Sequence, residues 1–231
     1  MPGLLPDVDP DGLLEYSVVF TDRSLNHMSQ AFQQVMNDIS STLKKVYNAA
    51  AVVVVPGGGT YGMEAVARQF ATGRDCLVIR NGYFSYRWSQ IFEMGAIPAN
   101  ATVLKARRIA EGPQAPFAPA PIDEVVATIA AEQPDVVFAP HVETSSGMLL
   151  PADYLRAVAD AVHAHGGLFV LDCVASGDLW VDMQASDVDV LITAPQKGWS
   201  ASPCSALVML GARALERLSL IHISEPTRPT R

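Results

Sequence analysis

Short apolar runs alternate along this chain with stretches in which apolar residues return every third or fourth position. Met28, Phe32, Val35, Met36, Ile39, Leu43 and Val46 keep helical spacing, which predicts an amphipathic helix with its polar face between Gln33 and Lys45. Ala51-Val52-Val53-Val54-Val55 is β-branched and closed by Pro56 and three glycines, the pattern of a buried strand. A helix is expected from near Thr60 through Met63, Ala67 and Phe70. The alternation then repeats: strand at Cys76–Ile79, helix from Phe84 to Met94, a shorter strand at Thr102–Leu104, a Pro-rich loop from Glu111 to Pro121, helix from Ile122 to Ala131, and strand at Val136–Ala139. Pro151 suits the first turn of a helix, and Gly166-Gly167 ends it. Strands follow at Leu168–Leu171, Val188–Ile192 and Ala206–Leu210. Strands alternating with helices predict an α/β fold, a mostly parallel sheet with helices on both faces.

The two ends break this rhythm. Residues 1–24 are rich in Pro, Asp and Gly without a clear period and read as an extended arm, whose Tyr16 and Thr21 are candidates for the rim of a substrate entrance. The alternating body spans 25–218. Residues 219–231 form a polar run bearing Pro and Arg, which resembles translated adapter read-through more than a designed terminus. The expectation is that native sequence stops near Leu218, with a genuine disordered tail as the alternative.

Composition narrows the class. Hydrophobic residues make up 49% of the 231 positions and charged residues 17%, the balance of a globular protein with ample core. A formal net charge of −8 argues against nucleic-acid or anionic-membrane partners, which select basic patches. No apolar run reaches bilayer-spanning length, and the N-terminus lacks a signal-peptide layout. Cys76, Cys173 and Cys204 are far apart, lack metal-ligand spacing, and read as buried free thiols of a cytoplasmic protein.

The candidate chemistry gathers after the apolar runs. Thr193-Ala194-Pro195-Gln196-Lys197-Gly198-Trp199-Ser200 follows one strand, and Asp172 closes another. An amine and a carboxylate delivered by strand ends suit a Schiff-base lysine with an acid against a pyridinium nitrogen. Gly57-Gly58-Gly59-Thr60-Tyr61-Gly62 links a strand to a helix, where free N–H groups and the helix dipole favour a phosphate. The same loop satisfies the dinucleotide pattern G-x-G-x-x-G. The next strand, however, ends in Arg80-Asn81 rather than an acid, which suits only a 2′-phosphate and keeps an NADP-dependent oxidoreductase as the alternative. Phe84 is a candidate ring platform, and Thr144 a hydroxyl donor in the polar cluster His141, Glu143, Thr144 and Ser145. His141 is equally a structural histidine, and His163 and His165 suit a helix end.

In their order, Gly-Gly-Gly-Thr-Tyr-Gly-Met-Glu, Asn-Gly-Tyr-Phe, Glu-Thr-Ser-Ser-Gly, Leu-Asp-Cys-Val-Ala-Ser and Pro-Gln-Lys-Gly resemble the class V aminotransferases. These are pyridoxal-phosphate enzymes of the aspartate-aminotransferase fold, and the alanine–glyoxylate and serine–glyoxylate branch is the most similar. The resemblance covers roughly residues 25–218 and implies the large, cofactor-binding domain, with the C-terminal small domain missing. It implies that Lys197 carries the Schiff base and the proton shuttle and that Asp172 pairs with the pyridine nitrogen. Gly58, Gly59 and Thr60 would hold the phosphate with Gln196 beside it, Phe84 would stack on the ring, and Thr144 would bond the ring hydroxyl side. Where the family often has Ser and His in the glycine loop, this chain has Gly58 and Thr60, which shifts phosphate contacts toward backbone N–H groups. The expected activity moves an amino group from alanine or serine to glyoxylate or pyruvate, in a homodimer when complete. A folded but inactive fragment is the other expectation, because the family's substrate-gripping arginine and partner-subunit phosphate ligands lie beyond Leu218. A lyase or desulfurase on the same fold is a further possibility, with Cys204 too close to the lysine motif to serve as a mobile desulfurase cysteine.

Overall fold

A computed structural model of the chain describes residues 30–223, with side chains through residue 218. The expected arm, with Tyr16 and Thr21, lies outside the described residues. Helix α1 (Gln30–Tyr47) leads into strand β1 (Ala51–Pro56), then α2 (Gly59–Ala71), β2 (Asp75–Arg80), α3 (Tyr86–Gly95) and β3 (Asn100–Lys105). Two very short strands, β4 (Arg107–Arg108) and β5 (Phe117–Ala118), precede α4 (Ile122–Glu132) and β6 (Val136–Pro140). Another short pair, β7 (Val142–Glu143) and β8 (Met148–Leu149), is followed by α5 (Ala152–His163) and β9 (Leu168–Asp172). A one-turn helix α6 (Met183–Ser186), β10 (Val190–Thr193), β11 (Ser205–Leu210) and α7 (Ala212–Ile223) complete the order.

Seven strands form one sheet in the order β1-β11-β10-β9-β6-β2-β3. All neighbours from β10 to β3 run parallel, while β11 is antiparallel to both β10 and β1. β1 therefore points the same way as the parallel strands, and the carboxyl ends of β1, β10, β9, β6 and β2 share one edge. The expected mostly parallel sheet is what the chain forms. Its reversed strand, β11, is an apolar run whose direction no residue pattern announces.

Alternation along the buried strands feeds two cores. Leu77, Val137, Phe169, Leu171 and Leu191 pack against Leu43 of α1, Ile129 of α4 and Val158 of α5 on one face. Val78, Phe138, Leu168, Val170 and Ile192 pack against Val66 and Phe70 of α2, Trp88 of α3 and Ala214 of α7 on the other. Helices thus cover both faces, as a parallel sheet requires. The stretch expected as a Pro-rich loop contains β5 instead, paired with β4 across two residues. Strands of that length show no readable period. Among the described residues no helix is long and apolar enough to cross a membrane.

The second core sets how α3 sits. Trp88 is fully buried with its ring centroid 4.5 Å from that of Phe138, and Phe92 lies 5.2 Å from the same ring. Phe138→Ala removes the centre of this cluster, and the expected loss is about 3–5 kcal/mol of unfolding free energy. Urea denaturation of the variant checks it, and a loss below 1 kcal/mol (roughly, a surface value) would contradict this account of how α3 docks.

Candidate active site

Strand β9 delivers the acid. Leu168 and Val170 point to the α2–α3 face, and the alternation carries Asp172 to the same face at the strand's end. Only 8% of Asp172 is exposed, and its Oδ1 accepts from the Val174 N–H at 2.9 Å. Burial pushes its carboxyl up to about 6; the Val174 hydrogen bond and the charge of Arg87 oppose the rise, and the charge of Glu143 adds to it.

The neighbouring strand β10 ends at Thr193 and runs into a turn that holds Lys197. The Lys197 N–H donates to Ala194 O at 3.1 Å, and the Ala201 N–H to Pro195 O at 2.9 Å. Gly198 packs against backbone: a Cβ there would collide with the Gly177 carbonyl, so the turn presses on the segment that follows Asp172. Because β9 and β10 are adjacent and in register (Ile192 opposite Asp172), Asp172 and Lys197 line the same cavity.

The glycine loop closes that space from the side of β1. Gly57 sits at φ +119°, a left-handed conformation that glycine adopts without a steric penalty, and its N–H donates to Cys204 O at 2.9 Å. The chain then enters α2, whose first N–H groups, on Gly59 and Thr60, have no acceptor within the helix. They form the positive end of the helix dipole.

A third wall comes from the turn before α3. Glu143 is fully buried, and its carboxylate accepts from the Phe84 N–H (3.1 Å), the Ser85 N–H (2.8 Å), Ser85 Oγ (2.7 Å) and Ser145 Oγ (2.6 Å). Burial alone would raise its pKa, yet these hydrogen bonds outweigh burial and hold the carboxyl below its ordinary value. Glu143 therefore ties the β7–β8 hairpin, which carries Thr144, to the turn before α3, which carries Phe84. The helix expected from Phe84 begins at Tyr86: the Arg87 and Trp88 N–H groups donate three residues back, to Phe84 O and Ser85 O, so residues 83–85 form a turn.

Gly59, Thr60, Phe84, Thr144, Asp172, Gln196 and Lys197 line one cavity of about 620 Å³, counted with its open mouth. Gly58 caps α2 and is not part of the lining. The cavity adds Arg87, which the sequence reading did not single out: its Nη1 donates to Thr60 Oγ1 at 2.7 Å. His141 stands behind the wall, buried and bonded through Nδ1 to Ser176 Oγ at 2.8 Å, as a structural histidine. Arg80, on which the dinucleotide alternative relied, lies outside the lining, with its guanidinium 4.9 Å from the Tyr86 ring centre. Cys76 and Cys173 are buried free thiols as expected, whereas Cys204, in the open loop before β11, is exposed.

The sequence matches the family described as Aminotransferase class-V over residues 13–218. The chain belongs to the class V aminotransferases. An L-aspartate–glyoxylate aminotransferase of Paracoccus denitrificans is 28% identical over 205 residues, which is 87% of this chain and 50% of that protein. The alanine–glyoxylate aminotransferase of Rattus norvegicus is 27% identical over 211 residues, covering 90% of this chain and 47% of the relative. Among solved structures, an alanine–glyoxylate aminotransferase from Nostoc sp. superposes with a TM-score of 0.70 at 25% identity, over 90% of this chain and 51% of that one. This class V chain thus spans about half the length of the relatives it matches.

Burial of Asp172 makes stability depend on pH. Its folded-state pKa is raised from 3.8 to about 6, so the folded form binds more protons than the unfolded form between those values. Stability is therefore highest below the unfolded value and falls as pH rises through the folded one. In ligand-free chain, Asp172→Asn is expected to be more stable than wild type at pH 7.5 by roughly 1–3 kcal/mol, with the gap closing below pH ~4. Thermal melts across this range check it; a gap that is independent of pH would contradict it.

Proposed function

We propose that this chain is the cofactor-binding part of a pyridoxal-phosphate-dependent aminotransferase that moves an amino group from a small amino acid, alanine or serine, to glyoxylate or pyruvate. The single observation that carries the reading is the meeting of a buried carboxylate, Asp172, and the Lys197 amine in one cavity floored by adjacent strand ends. Glyoxylate as acceptor draws support from the names of both relatives, whose donors differ.

The residues present fit the cofactor. Gln196 Oε1 is buried without a hydrogen-bond partner among the described residues, an amide end left open for a ligand. The unbonded N–H groups at the start of α2 suit a phosphate. Asp172, costly to ionise in its dry setting, gains a cationic partner in a protonated pyridine nitrogen. When bound, the cofactor supplies an electron sink for the substrate's α-carbon. Lys197 Nζ would anchor the cofactor covalently and would serve as the base that takes the substrate's α-proton and passes it to the cofactor's former aldehyde carbon. Asp172 would keep the ring nitrogen charged, Phe84 would cover a ring face, and Thr144 would bond the ring's hydroxyl side. Gly58 acts as the cap that sets the first turn of α2, with Gly59 and Thr60 presenting their N–H groups. A homodimer for the complete protein belongs to the same proposal. So does a cytoplasmic location, supported by three cysteines without disulfide partners.

Pyridoxal phosphate added to the purified chain is expected to give a yellow absorption band that borohydride bleaches, leaving the reduced cofactor mass on Lys197. Lys197→Ala is expected to lose the adduct while keeping its far-ultraviolet circular dichroism. A folded wild-type chain that carries no adduct, or carries it on other lysines, would overturn the reading.

A further inference from the structure

Arg87 stands in the first turn of α3, reaches across to α2, and is the one cation besides Lys197 among the residues lining the cavity. Its position is built rather than incidental. Glu143 holds the preceding turn by the Phe84 and Ser85 N–H groups, the Arg87 N–H donates to Phe84 O at 3.1 Å, and the adjacent Trp88 is fully buried. Arg87 as a whole is half-buried, and its guanidinium makes a solvent-accessible bond to Thr60 Oγ1. Among the described residues no carboxylate lies within ion-pair distance of it, whereas Arg68, Arg74, Arg107, Arg156 and Arg213 each have one.

We propose that Arg87 is a binding residue for the cofactor's phosphate, held over the first turn of α2 by Thr60 so that one guanidinium and the Gly59 and Thr60 N–H groups converge on the same anion. The inference rests on the pyridoxal-phosphate reading of the cavity. Charge makes the case. A phosphate dianion needs more than the half-charge that a helix N-terminus offers, and the Lys197 amine is committed to the cofactor's aldehyde carbon. A guanidinium with one arm on a hydroxyl keeps further donors for phosphate oxygens, and phosphate is a geometry it matches well. The competing role, gripping a substrate carboxylate, is disfavoured by where Arg87 is tied. Thr60 belongs to the anion-binding turn of α2, whereas the reacting carbon must lie beside Lys197.

Pyridoxal phosphate and pyridoxal, which lacks the phosphate, separate these roles when titrated against wild type, Arg87→Met and Arg87→Lys and read by absorbance. Arg87→Met is expected to weaken pyridoxal phosphate binding by about 10- to 100-fold while leaving pyridoxal binding unchanged, and Arg87→Lys to fall between. Unchanged pyridoxal binding also reports that the variant is folded. Equal weakening of both ligands would overturn the proposal in favour of a structural role. No change in either would leave Arg87 to the substrate and overturn it as well. Failure of wild type to bind either ligand would sink the cofactor reading itself, before any variant is compared.

Discussion

A carboxylate with no exposed surface, Glu143, is the constraint on which the arrangement of the site depends. Three backbone N–H groups and two hydroxyls satisfy it, so it stays charged inside the protein and binds two distant segments together. Through the Phe84 and Ser85 N–H groups it holds the turn that leads into α3, and with it Phe84 and the neighbouring Arg87. Through Ser145 it sets the hairpin turn that carries Thr144. An aromatic platform, a cation and a hydroxyl thus inherit their relative placement from one buried acid that does not itself line the cavity.

Asp172 is the opposite case. It too is buried, but with one backbone donor against Glu143's five donors, and burial wins: its carboxyl is pushed up where that of Glu143 is held down. A carboxylate left short of partners costs stability in the ligand-free chain and gains most from a cationic ligand. The contrast separates scaffold from chemistry by the number of hydrogen bonds each acid receives. Adjacent strand ends then bring the under-partnered acid close to the Lys197 turn, which Gly198 presses against the Gly177 backbone.

Much of this was legible in the sequence, for a physical reason. Buried parallel strands are unbroken β-branched runs, so their ends can be read, and side chains just past those ends share one edge of the sheet. Asp172, Lys197 and the glycine loop were found that way. Arg87 was not, because an arginine in the first turn of an amphipathic helix reads as part of a solvated face. Its bond to Thr60 joins residues 27 positions apart and exists only once α2 and α3 pack side by side. Glu143 was noticed within a polar cluster, but its role depends on meeting Ser85 across 58 positions, which no local pattern encodes. Two-residue strands such as β7 and β8 are too short to show a period, and the reversal of β11 depends on its partners rather than its own residues.

The central claim is that Asp172 faces the ring nitrogen of a bound pyridoxal phosphate. Nitrogen-15 NMR of the chain loaded with ring-labelled cofactor tests it most directly, comparing wild type with Asp172→Asn. The account calls for the chemical shift of a protonated pyridine nitrogen in wild type at pH 7.5 and that of an unprotonated one in the variant. Identical spectra, with the cofactor bound in both, would contradict it.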